Sequence, residues 1–339
     1  ALKTNQIAAL TTAETVALTT GQIILLSSTQ AASLSTAATA ALTTDQVVAL
    51  TTGNIAALTT AQIGSLTSAQ IVALTTGQVA ALTTGQVSLL SSAQLASVEI
   101  IDFQSLGTAQ IQSLTSSQMA ALPTSDLVSM TTTQLAALKS NQIAALTSSE
   151  TVALTTTQIS LLSSAQVAAF APSSIAALTT DQIVALTTLD VSALKTSQLV
   201  ALTMDQIGAL ETGDVAALTT GQIIVLTTAQ IPALRSDHIA ALKTAQVVAL
   251  TTSQIPALTT DQIVALTTTS ISVMTAGQIA SLSRPQIAAL ETADITTLSV
   301  AQLGAITTYQ IPSLRTDQIS ALKTSQITVL TTAQLQALT

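Results

Sequence analysis

His238 is the sole histidine among 339 residues, and there is no cysteine. It stands in Arg235-Ser236-Asp237-His238, so a metal held by His238 and Asp237 is the first chemistry to weigh. One imidazole and one carboxylate leave a tetrahedral site two ligands short. The plainer reading is a polar residue tolerated at an exposed position. Glu211 with Asp214, and Glu291 with Asp294, are carboxylate pairs three residues apart. A general acid–base pair needs a pocket that drives its two pKa values apart; these pairs read as solvated edge charges. None sits in the glycine-punctuated loop of a calcium site. Serine and threonine abound, but a nucleophilic triad needs its own histidine base. Lack of cysteine removes disulfides, thiol catalysis and cysteine-ligated zinc or iron–sulfur centres. The expectation is no cofactor, no metal and no enzyme.

What surrounds these residues is one repeat. From Lys3 to Leu338 the chain divides into 42 octads with no insertion, with consensus T-T-x-Q-I-x-A-L at positions a to h. Position h is Leu in 37 octads, the others being Val98, Met130, Phe170, Met274 and Ile306. Position e is Ile, Val or Leu in 36, d is Gln in 30, and b is Thr or Ser in 36. Seven of eight basic residues sit at a, and all sixteen acidic residues sit at a, c or d. Positions e to h carry no charge, so half of each octad is expected to face apolar surroundings and half water. Longer copies overlie the octads: 179–258 aligns with 259–338 at a shift of 80, and 3–50 with 139–186 at 136. The whole of 1–339 therefore reads as one continuous repeat domain.

Charge is only 7% and aromatics 1%, yet 48% of residues are hydrophobic, unlike a disordered acidic chain. Eight scattered Lys and Arg give no basic patch for nucleic acid. Thr/Ser clusters interrupt every apolar stretch well short of the roughly 18 residues of a membrane span. The chain opens Ala1-Leu2-Lys3-Thr4, already in register, which reads as a segment of a longer protein.

An octad cannot propagate as one long helix. At about 100° per residue, eight residues turn the apolar stripe by about 80° per repeat, whereas supercoils need 3.5 or about 3.67 residues per turn. A strand would send Ile at e and Leu at h to opposite faces. Spacing of three suits a short capped helix, unstable alone and stable when stacked. The expected fold is an all-α solenoid of 42 mini-helices, about 3 to 3.5 octads or roughly 27 residues per coil. Pro232, Pro256 and Pro312 at f, where an α-helix wants an N–H, keep a β-solenoid as the alternative. Leu42, Leu50, Leu58, Ile55, Ile63, Ile183, Leu186, Ile263 and Leu266 are expected in the core. The caps are placed at b, on Thr44, Thr52, Thr60, Thr180 and Thr260, because b seldom departs from a hydroxyl while a accepts Lys, Arg, Glu, Gly and Pro. Thr at a with Gln at d would form a capping box instead.

Lys3, Leu10, Leu335 and Leu338 belong to end octads that look internal, with no polar capping repeat. Such ends suit head-to-tail self-association. Phe103, in the irregular octad Glu99–Leu106, is the candidate lateral contact between chains; the plainer reading of that octad is a drifted repeat. Tyr309, at c, reads as a neutral exposed residue. The octad, as in Leu178 to Leu186 and Leu258 to Leu266, resembles the LTTxQIxAL repeat of large bacterial surface or secreted proteins. These are often labelled adhesin-like or haem-utilisation proteins. One histidine and no cysteine leave almost no axial ligands for haem. The resemblance implies an extracellular or cell-surface structural rod or filament that self-associates. The alternatives are an adhesin stalk contacting cell-surface or matrix components, or an ice-binding solenoid using its Thr rows.

Overall fold

The computed structural model describes residues 2–338. Among them each octad forms one short helix: 39 α-helices and three 3-10 turns, with no strand. The fold is the all-α repeat solenoid, and the β-solenoid alternative falls. The chain divides into two compact units, Ala1–Ala177 and Leu178–Thr339, each built on the same rules.

Every helix is started by the residue at a. In the first unit Thr43 is extended (φ −71°, ψ 161°), and its hydroxyl accepts the Gln46 N–H at 3.2 Å. Gln46 returns the bond, its Oε1 accepting the Thr43 N–H at 2.8 Å. The helix Thr44–Ala49 follows. The caps are thus Thr43, Thr51, Thr59, Thr179 and Thr259, one residue before the expected Thr44, Thr52, Thr60, Thr180 and Thr260. The reason is the reciprocal half of the box. The d side chain binds the backbone N–H of a, which any residue but proline has. Lys139, Gly107 and Arg315 therefore serve at a without a capping hydroxyl, their N–H groups held at 2.9, 2.6 and 2.7 Å by Gln142, Gln110 and Gln318.

The f prolines are absorbed by a tighter turn. In a regular octad the f N–H donates to the b carbonyl, as Ile24 does to Thr20 at 3.0 Å. Proline has no such N–H. The octads of Pro232, Pro256 and Pro312 form the 3-10 turns Ile231–Ala233, Ile255–Ala257 and Ile311–Ser313. They keep the e-to-a bond (Ile231 to Thr227, 3.1 Å) and a g-to-d bond (Ala233 to Gln230, 3.1 Å) that octads without proline also make, as Ala145 does to Gln142 at 3.2 Å.

Leu42, Leu50, Leu58, Ile55 and Ile63 are buried in the first unit, and Ile183, Leu186, Ile263 and Leu266 in the second. Position f faces outward, Val48 being 46% exposed, so the interior is e and h rather than the whole uncharged half of the octad. Helices stack on those three octads away, Ser28–Ser33 on Thr52–Ala57 and Thr188–Ala193 on Thr212–Ala217. Cross-coil hydrogen bonds join residues 25 to 31 apart. A coil of a little over three octads satisfies both.

Candidate functional site

The feature these helices position is a ladder of buried polar side chains at d. Expected in solvent, d is inside: Gln46 is 2% exposed. A buried amide must satisfy both its ends. The Gln46 Oε1 is taken by the cap N–H, and its Nε2 donates to the Leu18 and Thr15 carbonyls at 2.7 and 2.9 Å, 28 and 31 residues back. In the second unit Gln246 Nε2 reaches Leu218 at 2.8 Å and Val215 at 2.9 Å. Each rung caps its own helix and fastens it to the coil before. Small helices that could not persist alone are thereby tied by directed bonds, and each coil acquires a donor side and an acceptor side.

His238 is a rung as well, not an exposed substitution: it is fully buried. Its Nδ1 accepts the Arg235 N–H at 3.2 Å and its Nε2 faces the Leu210 carbonyl, 28 residues back, at 2.9 Å. That bonding assigns a neutral ring with the proton on Nε2, and it occupies both nitrogens a metal would need. Asp237 is turned elsewhere. It is paired with Arg235 at 3.0 Å and accepts the Thr212 hydroxyl at 2.7 Å. The Arg235 guanidinium, then Thr212, hold its carboxyl well below the usual range. Arg235 also reaches the carbonyls of Gly208 and Leu210, so it clamps two coils. Arg315 repeats the arrangement with Asp317, Ala288 and Leu290.

Burial lowers the His238 pKa below the ordinary 6.5, and the Arg235 charge adds to it; Asp237 and Asp214 oppose. The unfolded chain therefore takes the proton first. The stability that neutral His238 gives is present above pH 6.5 and is lost as pH falls through the folded value. We expect the melting temperature of the second unit to drop on acidification from pH 7 to 5. In the His238→Gln variant this component should vanish, and an unchanged acid response would sink the assignment.

Asp214 and Asp294 are likewise buried rungs, not solvated edge charges. Each accepts its cap N–H, from Glu211 and Glu291, at 3.0 Å. Burial raises the Asp294 pKa against the pull of that N–H and of the Thr268 hydroxyl. Glu211 and Glu291 remain at a on the surface, so neither pair shares a site.

Phe103 is fully buried at e and makes no lateral surface; Ile100 and Ile101 of the same octad are exposed instead. Tyr309 is exposed, with the Arg284 guanidinium 5.4 Å above its ring.

Lys3 and Leu335 are exposed, and Leu10 and Leu338 are half-buried. In the first unit the leading coil leaves Gln6 and Gln22 exposed, and Gln22 lines, with Leu2, Leu18, Leu25 and Leu26, a cavity of about 380 Å³. In the second unit the last coil exposes Ile327 and Leu335, at the normally buried e position. No helix among the described residues is long and apolar enough to cross a membrane.

The sequence profile of the family described as ALTTAQ repeat matches residues 52–84, 119–156, 175–212, 207–244, 239–268 and 287–324. No curated protein matches the chain.

Proposed function

Because this chain belongs to the ALTTAQ repeat family, we propose that it is a structural repeat protein, a rod or filament element outside the cell whose exposed coil ends join head to tail. The polarity of the ladder carries this reading. An uncovered leading coil offers rung amides and half-covered h leucines, as at Gln6, Gln22, Leu10 and Leu18. An uncovered last coil offers the e side chains Ile327 and Leu335 and the carbonyls of their octads. These are the two sides that meet between any two internal coils. Further octads of the same kind fit both sides at once, and a second copy of the chain is the source of them that this reading commits to. A heterologous contact of this kind does not close on itself and extends as a filament. The reading includes no catalytic role and no resident cofactor. Most a hydroxyls are engaged in helix caps, which weighs against an ice-binding Thr row.

Electron microscopy and sedimentation of the purified chain over a concentration series test it. Fibres that lengthen with concentration are expected, and they should shorten when Gln6 and Gln22 are replaced by Glu. Discrete short rods at every concentration would overturn head-to-tail assembly and leave a stalk or adhesin arm as the reading.

A further inference from the structure

Rungs shorter than glutamine find cross-coil partners at several positions, and Asp126 does not. Asn54 Nδ2 reaches the Leu26 carbonyl at 3.2 Å, and Ser174 Oγ reaches Leu146 at 3.1 Å, each 28 residues back. A side chain shorter than glutamine therefore still spans the gap between coils. An ionised aspartate cannot donate, and at Asp214 and Asp294 it is held by donors instead. Asp214 takes the Glu211 N–H at 3.0 Å and the hydroxyl of Thr188, 26 residues back, at 2.9 Å. Asp294 takes the Glu291 N–H and the hydroxyl of Thr268, again 26 residues back.

At Asp126 both donors are missing. Its a residue is Pro123, which has no N–H, and the residue 26 back is Ile100, which has no hydroxyl. Asp126 is 3% exposed; its Oδ1 accepts from Ser125 at 3.2 Å. Its Oδ2 has no partner, which is true of no other buried side-chain oxygen or nitrogen among the described residues. The residue 28 back, whose carbonyl takes the donor at Asn54 and at Ser174, is here Val98.

We propose that Asp126 is a neutral acid in the folded coil, its Oδ2–H donating to the Val98 carbonyl as the Asn54 amide donates to Leu26, and that its ionisation loosens residues 99–130 of the first unit. The surroundings favour the neutral form. Helix Thr124–Ser129 packs against Ile100–Gln104 and Ser148–Ala153. The ionisable groups of those two octads are all acidic: Glu99 and Asp102 on one, Glu150 on the other. Asp102 and Glu150 are themselves buried rungs, 24 residues to either side. The octads of these three helices contain no Lys or Arg. Burial pushes the Asp126 carboxyl above the usual carboxylate range, with the Ser125 hydroxyl a smaller opposing influence. A group whose folded pKa is raised contributes stability that is full below the unfolded value of 3.8 and is lost as pH rises through the folded value.

Asp126→Asn is the test, since asparagine is the isostere of the neutral acid. At pH 7 the unfolding constant of the first unit should fall by about tenfold or more. The advantage should shrink towards pH 3, where the native acid is protonated in both states. Asp214→Asn, whose amide would face two donors, should give no gain. Carbon-13 NMR of the native chain supplies an independent reading: the Asp126 carboxyl should titrate above 3.8, and amide exchange in 99–130, corrected for intrinsic rates, should quicken through the same pH range. A carboxyl titrating at or below 3.8, or an Asn variant no more stable than the native chain at pH 7, overturns the proposal.

Discussion

Gln62→Met should destabilise the first unit by roughly 2–6 kcal/mol, several times the effect of removing the threonine cap beside it. Methionine keeps the length and nearly the volume of glutamine, so packing is conserved and the hydrogen bonds are lost. Gln62 Oε1 accepts the Thr59 N–H at 2.7 Å, and Nε2 donates to Leu34 and Ala31 at 2.8 and 3.0 Å. Ala31 keeps a backbone partner in the Leu34 N–H at 3.2 Å. The Leu34 carbonyl is left unpaired in a buried junction and the Thr59 N–H in a partly buried one, at about 1–3 kcal/mol each, the lower end for Thr59. Thr59→Ala removes only the hydroxyl that accepts the Gln62 N–H at 3.2 Å, typically worth about 1 kcal/mol. Denaturant unfolding of the two variants gives the ranking, and exchange of the Thr59 amide locates it. If Gln62→Met proves no worse than Thr59→Ala, the ladder is not what ties the coils.

That ranking also marks where the sequence could be read and where it could not. The octad, the helix in each repeat and a coil of a little over three octads follow from spacing: Ile and Leu three apart, prolines 3 and 7 octads apart, copies shifted by 80 and 136. Positions e and h were legible because burial of an aliphatic side chain needs no partner. Position d is not, because a polar side chain on its own reads as an exposed one. A buried polar rung depends on carbonyls 28 residues away, and only the coil geometry brings them there. The signal existed in the repeat itself. Position d is Gln in 30 of 42 octads, a long amide where a solvated site would accept any polar residue. A surface position has no reason to hold one amide so steadily. The cap reads at b for the same reason: the tolerance of a suggests a position without a role, whereas its backbone N–H is the part in use. Phe103 misleads for a related reason: an aromatic in an irregular octad resembles a contact, but it occupies e and follows the rule of that position.

The Leu58→Asp, Leu66→Asp double variant should have the larger effect, and its reach along the chain is the informative part. Both leucines are buried at h in successive octads. Deleting a buried leucine side chain to alanine already costs about 2–5 kcal/mol, and an uncompensated buried carboxylate adds to it. Two such sites exceed the stability of about 5–15 kcal/mol expected of an ordinary domain, so a globular core would unfold entirely. In a solenoid each coil is held chiefly by its neighbours. The loss should therefore be confined to the coils that stack on octads 51–58 and 59–66, while octads several coils on in the same unit, such as 147–154 and 155–162, keep their helices. Exchange protection should vanish around the substitutions and persist at Ile159 and Leu162. Val48→Asp is the matched control, since f faces water and a carboxylate there needs no desolvation. If it unfolds the chain as severely, the division of the octad into interior e and h and exterior f is wrong. If the double variant melts like the native chain, the aliphatic interior is not what holds the coils, and stacking of apolar faces gives way to the glutamine ladder as the main source of cohesion.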